Sequence, residues 1–365
     1  MSWELNQGRI APERAQLALV FGPAAALESA TTWQELSALY PKARLVGCST
    51  AGEIAGAEVF DDELVVTALG FENGRVELAA AALGANPDSR ELGGRLAAGL
   101  SHEGLVHVLV ISEGTRVNGS ALVAGLLAGL PAGVGLTGGL SGDGARFTRT
   151  VVCLDGPSPS EQVVAIGFYG PHIHVGCGSR GGWDPFGPER RITKSAGNVL
   201  HELDGQPALD LYKRYLADQA AGLPATGLLF PLAIRGESGE PVVRTLLGVD
   251  EQAKTMTFAG DMPTGHTARL MTANFERLVD GATQAARLAG DKDAAPGLAI
   301  MISCVGRKLV LKQRIDEELE TVRDEYGPNT VLTGFYSYGE IAPFSRASRC
   351  ELHNQTMTIT TISER

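Results

Sequence analysis

The chain has 365 residues and a formal net charge of -11, from 31 Lys plus Arg against 42 Asp plus Glu. With no basic run to offset it, this balance gives no footing on phosphate backbones and argues against a nucleic-acid partner. Hydrophobic residues at 44% and charged residues at 20% suit a packed globular chain rather than a disordered one.

Glycine is the outlier, at 46 residues against roughly 26 expected from average usage. The excess predicts many tight connections and backbone-lined loops. Glu4, Glu13 and Arg14 interrupt the region where an apolar signal core would sit. The apolar stretch from Leu17 to Leu27 is broken by Gly22 and Pro23 and falls short of a membrane span of about 20 residues. Cys48, Cys153, Cys177, Cys304 and Cys350 are scattered without a CxxC pair, as expected of free thiols in a reducing compartment. These features predict a cytoplasmic protein without a membrane anchor.

Taken in chain order, LALVFG (Leu17 to Gly22) predicts a strand, and Trp33, Leu36, Leu39 and Tyr40 a helix. A short strand, Ala43 to Val46, then enters the string GCSTAGEIA from Gly47 to Ala55, and an alternating strand follows from Glu63. Leu105 to Ile111 is a β-branched strand, and Asn118 caps a helix striped by Leu122, Leu126 and Leu130. The glycine loop TGGLSGDG comes next, and Val163 to Tyr169 closes that unit. The stretch around Asn198 to Leu216 reads as helical, and Phe275, Leu278, Val279, Ala282 and Ala286 form a helix stripe. GDKDAAPG (Gly290 to Gly297) is a linker. After it come a strand (Leu298 to Ser303), a helix with Ile315, Leu319 and Val322, and the string GFYSYGEIA from Gly334 to Ala342. An alternating strand from Thr356 ends the series.

The two GEIA strings agree at five of nine positions and occupy the same place in the same order of elements. This predicts an α/β fold of duplicated strand-helix-strand units with helix-covered sheets and two pseudo-related halves, with a weaker third copy between them. The division is placed at 15–205 and 206–362.

Glu53 and Glu340 end short strands in related loops, so the duplication predicts that they face one another across a shared cleft. Arg307 offers a two-pronged guanidinium for a ligand carboxylate. Together they would suit a zwitterion. The alternative is that each Glu caps its own turn and that Arg307 pairs with a carboxylate. Cys48, beside Ser49 and Thr50, is the candidate nucleophile of a cysteine-dependent hydrolase or transferase, but no local His supplies a base and its repeat partner is Phe335. Gly133, Gly135 and Gly138 spell GxGxxG without the strand before and helix after that a dinucleotide site requires. Asp143 is placed to order the glycine loop. Tyr336 and Tyr338 offer an aromatic wall.

GCSTAGEI, TGGLSGDG, ITKSAGNVLHELDGQPALDLY (Ile192 to Tyr212) and GFYSYGEIAP followed by HNQTMT resemble the FIST family of sensory domains, from about Leu17 to Thr358. The resemblance implies a non-enzymatic signal-transduction sensor for a small ligand. Similarity to stand-alone nitric-oxide-sensing FIST proteins further implies haem b and action in trans on a sensor histidine kinase or a cyclic-di-GMP enzyme. An amino-acid or metabolite sensor without haem is the alternative. For a haem iron, His353 is the expected axial ligand, being in the motif segment beside the two tyrosines and Met357. Its other role would be to anchor the loop through a backbone carbonyl.

Overall fold

The computed structural model describes residues 10–158, 161–235, 241–291, 294–344 and 348–365. Glu4 in the N-terminal reading and residues 292 and 293 of the expected linker lie outside them.

The first unit runs through β1 (Leu17–Gly22), α1 (Ala24–Leu27), α2 (Ala30–Leu39), β2 (Arg44–Ser49), β3 (Glu53–Ala55), β4 (Glu58–Phe60) and β5 (Val65–Leu69). The wholly apolar β1 is buried along its length, and β2 pairs parallel to it while β5 pairs antiparallel. The second unit comprises β6 (Arg75–Ala82), α3 (Ser89–Ala98), β7 (Leu105–Ser112), α4 (Gly119–Gly129), β8 (Gly135–Leu140), β9 (Val152–Leu154) and β10 (Gln162–Tyr169). It repeats the pairing, with β8 parallel and β10 antiparallel to β7.

β11 (Ile173–Arg180) leads to an inserted unit: β12 (Asp184–Ala196), β13 (Val199–Leu203), β14 (Gln206–Pro207), α5 (Ala208–Leu216), β15 (Leu232–Arg235), β16 (Val242–Arg244), β17 (Leu246–Asp250), β18 (Thr255–Phe258) and β19 (Thr267–Thr272). These strands form one sheet with a core of its own, including Ile192, Leu209, Tyr212, Met256 and Phe258. The stretch expected to be helical from Asn198 is strand β13 before it becomes helix α5, because Leu200 and Leu203 are needed in the sheet core. The division expected after residue 205 falls in the turn between β13 and β14, inside this sheet.

Helix α6 (Phe275–Ala289) follows, with Leu278, Ala282 and Ala286 of its stripe buried and Phe275 exposed. The last unit is β20 (Leu298–Cys304), α7 (Val305–Leu311), α8 (Asp316–Tyr326), β21 (Val331–Ser337), β22 (Gly339–Pro343), β23 (Cys350–His353) and β24 (Met357–Glu364). Again β21 is parallel and β24 antiparallel to β20. The two halves expected from the GEIA strings are thus two of three related units.

Each unit hands a strand to another. After its central loop the first unit sends β3 to β21 of the third, the third sends β22 to β8 of the second, and the second sends β9 to β2 of the first. The exchange closes on itself, so the inner edge of every sheet is covered by a neighbour. Among the described residues, no helix is long and apolar enough to cross a membrane.

One glycine recurs opposite the partner strand: Gly47 faces Val20, Gly138 faces Val110 and Gly334 faces Met301. At Gly138 and Gly334 φ is +156° and +155°, and an added Cβ would lie 2.0 Å from the Val110 carbonyl oxygen and 1.7 Å from that of Met301. Backbone cannot yield as a side-chain tip does. Gly334→Ala is expected to destabilise the chain by about 2–4 kcal/mol or prevent folding, read from urea unfolding or soluble yield. A variant that unfolds like the wild type would refute this account of the interlock.

Candidate functional site

The three central loops meet where the strands are exchanged. The Ala51 amide donates to the Tyr336 carbonyl at 2.8 Å, and the Tyr336 amide donates back to Gly52 at 2.8 Å. The Gly142 amide donates to Ser49 at 2.9 Å and Gly144 to Thr50 at 3.1 Å, while Tyr338 donates to Leu140 at 3.0 Å. The loops therefore brace one another in a ring.

Glu53 and Glu340 occupy matching points of this ring, and both are buried. Thr50 Oγ1 donates to Glu53, and three residues before Glu340 the hydroxyl of Ser337 donates to it at 2.8 Å. Thr356 adds its amide at 3.1 Å and its hydroxyl at 2.9 Å to Glu340. Each glutamate thus fastens its own hairpin, and neither borders the cavity described below. Burial outweighs these bonds and raises the Glu53 pKa to about 7 and that of Glu340 to about 8. Unfolded carboxyls titrate near 4.5. Stability from these groups is therefore complete below that value and is lost as pH rises through about 7 and about 8. Glu340→Gln should flatten the fall in urea midpoint between about pH 5 and about pH 8.5. An unchanged slope would contradict the assignment.

Arg307 is fully buried on α7 and ion-paired with Glu318 at 2.7 Å. Its Nε also donates to Glu318 at 3.0 Å, and its remaining nitrogens donate to the carbonyls of Gly181 and Leu278. The expected ligand clamp is a framework ion pair, because the side chain is fully buried and each of its three nitrogens already bonds within the protein. Tyr336 joins it, donating to Glu318 at 2.8 Å. Arg307→Ala should cost about 3–5 kcal/mol by stranding the Glu318 carboxylate, measured by denaturant unfolding. A cost below about 1 kcal/mol would disprove the pairing's importance.

Cys48 is buried in the apolar core, and burial, helped by Cys153 and Glu53, raises its thiol pKa well above the ordinary value. A thiol so placed stays protonated and is a poor nucleophile. Ser49 Oγ accepts from the Val151 amide at 2.8 Å. His353 is fully buried, its Nε2 donates to the Ala342 carbonyl at 2.8 Å, and its ring packs edge-on against Phe344 at 4.2 Å. Burial lowers its pKa to about 4, so it is neutral. The ring is enclosed and lies outside the cavity wall, and its Nδ1 has no hydrogen-bond partner among the described residues. Among the described residues, no group of three His, Cys, Asp or Glu side chains is placed to hold a metal ion.

Tyr338 has a different setting. It lines a cavity of about 970 Å³ walled by three parts of the chain. The second unit supplies Gly114 to Gly119, Leu140, Ala145 and Phe147, and the third supplies Leu309, Tyr338 and Leu352. The inserted unit contributes Asn198, Leu223, Leu228, Leu246, Leu247 and Phe258 to Gly260, among others. Phe147 stacks on Tyr338 with ring centroids 4.4 Å apart. Asp143 orders their loop as expected, accepting from the amides of Phe147 at 2.8 Å, Thr148 at 3.0 Å and Arg149 at 3.0 Å, and from the Tyr338 hydroxyl. The cavity can seat an apolar body against an aromatic wall, with Asn118 in its lining. Of the expected binding residues, Cys48, Ser49, Thr50, Glu53, Arg307, Tyr336 and Glu340 belong to the framework, and Tyr338 alone lines the cavity. Phe147, Leu228 and Leu247 went unread in sequence because no motif or spacing links segments so far apart.

Comparison with known proteins places nearly the whole described chain. A model described as the FIST N domain matches residues 16–206, and one described as the FIST C domain matches residues 208–343. No curated protein matches the sequence. Among solved structures, a cyanuric acid hydrolase from A. caulinodans aligns at 12% identity over 80% of this chain and 99% of that chain. Its TM-score is 0.19, too low to carry a statement about fold or activity.

Proposed function

This chain belongs to the FIST family, and we propose that it is a small-molecule sensor whose ligand site is the cavity between the inserted unit and the second and third units. FIST domains are sensor domains of signal transduction that bind small ligands. The observation that carries the assignment is the cavity itself: about 970 Å³, mostly apolar, with a stacked aromatic pair. Sites for small molecules run from about 300 to about 1,000 Å³ with such linings.

The location also suits signalling. Its walls come from separately built units, so a ligand that prefers one arrangement of them shifts that equilibrium by its differential affinity. The output partner in this proposal is a protein in trans, a sensor histidine kinase or a cyclic-di-GMP enzyme, following the family resemblance. A cytoplasmic location belongs to the same reading and is supported by five free thiols. The ligand is haem-free in this reading, since His353 is not among the residues that line the cavity.

Leu228→Trp should fill the cavity and abolish thermal stabilisation by whichever members of a metabolite library stabilise the wild type. The purified protein should also lack a haem absorption band. Hits that survive Leu228→Trp would move the ligand site elsewhere. A Soret band that disappears in His353→Ala would replace this reading with a haem-based nitric oxide sensor.

A further inference from the structure

Phe147, in the wall of the cavity, is held in a way that packing alone does not call for. Its φ is +53°, a left-handed backbone that a bulky side chain rarely adopts and that glycine fits freely. Among the described residues it is the one aromatic side chain on such a backbone, and it is 41% exposed. The loop nonetheless fixes it. Its amide donates to Asp143 at 2.8 Å and to the Tyr338 hydroxyl at 3.1 Å. Its ring lies on that of Tyr338 with the two planes 18° apart. Tyr338 is fixed in turn, because its hydroxyl donates to Asp143 and its Cδ2 stands 3.3 Å from where a Gly114 side chain would begin. A strained backbone that its surroundings hold in place is characteristic of ligand clamps.

The rest of the lining narrows what such a clamp can take. The inserted unit contributes Leu223, Leu228, Leu246 and Leu247, so an aromatic plate shares the cavity with aliphatic side chains. Among the described residues the lining has one charged side chain, Arg116, and that charge is already matched. Arg116 pairs with Glu161 and donates to the carbonyls of Gly84 at 3.0 Å and Ala85 at 2.6 Å. The polar side chains are engaged as well: Thr115 with Glu113, Asn118 with Asp261 at 2.9 Å, and Asn198 with the Phe258 carbonyl at 2.8 Å. A charged ligand would give up its hydration here with no counter-charge in return. A flat ring gives up little and gains a stacking partner.

We propose that Phe147 is the stacking platform of the cavity, and that the ligand is an uncharged compound built on a flat aromatic ring. The ligand ring lies on Phe147 and extends its stack with Tyr338. This rests on the cavity being the ligand site, and the test separates the two claims.

Fluorescent N-phenylnaphthylamine, which is uncharged, reports occupancy of the cavity. The wild type should bind one per chain, and Leu228→Trp should bind none. Displacement of this probe then compares 2-naphthalenemethanol with its saturated counterpart, decahydro-2-naphthalenemethanol. The ratio of their affinities should shift about fivefold against the aromatic alcohol in Phe147→Leu, and Phe147→Tyr should keep the wild-type ratio. Anilinonaphthalene sulfonate, close to the probe in shape but charged, should bind the wild type on the order of tenfold more weakly than the probe. An unchanged ratio in Phe147→Leu refutes the platform while the cavity stands. A sulfonate that binds as tightly as the neutral probe refutes the uncharged class. If the neutral probe does not bind the wild type, the cavity reading fails and the platform with it. Phe147→Gly decides should Phe147→Leu not fold, since glycine suits the left-handed backbone. It should keep the urea midpoint and show the same shift in ratio, whereas a lowered midpoint with the ratio intact would make Phe147 a structural residue only.

Discussion

The closed exchange of strands among three units is the constraint on which everything else in this protein rests. No unit completes its own sheet: β2 needs β9, β8 needs β22 and β21 needs β3. A parallel pair can be built locally because a helix carries the chain back, as α4 does between β7 and β8. The third pairing must come from elsewhere. Since each unit both gives and receives, removing one strand exposes an edge in one sheet and loosens the loop that supplied it.

That constraint decides where polar groups go. Where hairpins leave the ring, the chain turns inside protein, and turning backbone needs partners that water would otherwise supply. Glu53 and Glu340 provide them, each bonded to a hydroxyl three residues earlier. Asp143 does comparable work in the second unit, with three amides of its loop. The Arg307–Glu318 pair ties α7 to α8 and takes in Tyr336. Such satisfied groups are framework. Arg244 is held differently, its donors on the carbonyls of Asp261 and Leu352 and the charges of Glu351 and Asp261 acting on it from nearby.

The sheets and helices were largely legible. LALVFG and LAIMIS are too apolar to lie anywhere but inside, and Asn118 announces α4 by the capping it performs. The recurrence of GEIA pointed correctly to related units. It misled about use, since two carboxylates in equivalent loops look like facing ligands until burial makes them fasteners. Arg307 misled likewise: its guanidinium could be read, but Glu318, eleven residues on, gave no sign that it was the partner. His353 was read as a possible iron ligand, and its carbonyl-anchoring alternative describes the bond it makes to Ala342.

What the residues determined by themselves is local: where the chain extends, where it coils, which loops need glycine, and that three stretches follow one pattern. Period, capping and β-branching act over a few residues, so one strand of text carries them. Which strand completes which sheet, and that an inserted unit from Asp184 to Thr272 closes a cavity over Tyr338, depended on contacts between segments far apart in the chain. The same holds for charge. A sequence shows that an arginine is present, while only packing decides whether a carboxylate reaches it, as at Arg307, or whether its donors meet carbonyls instead, as at Arg244.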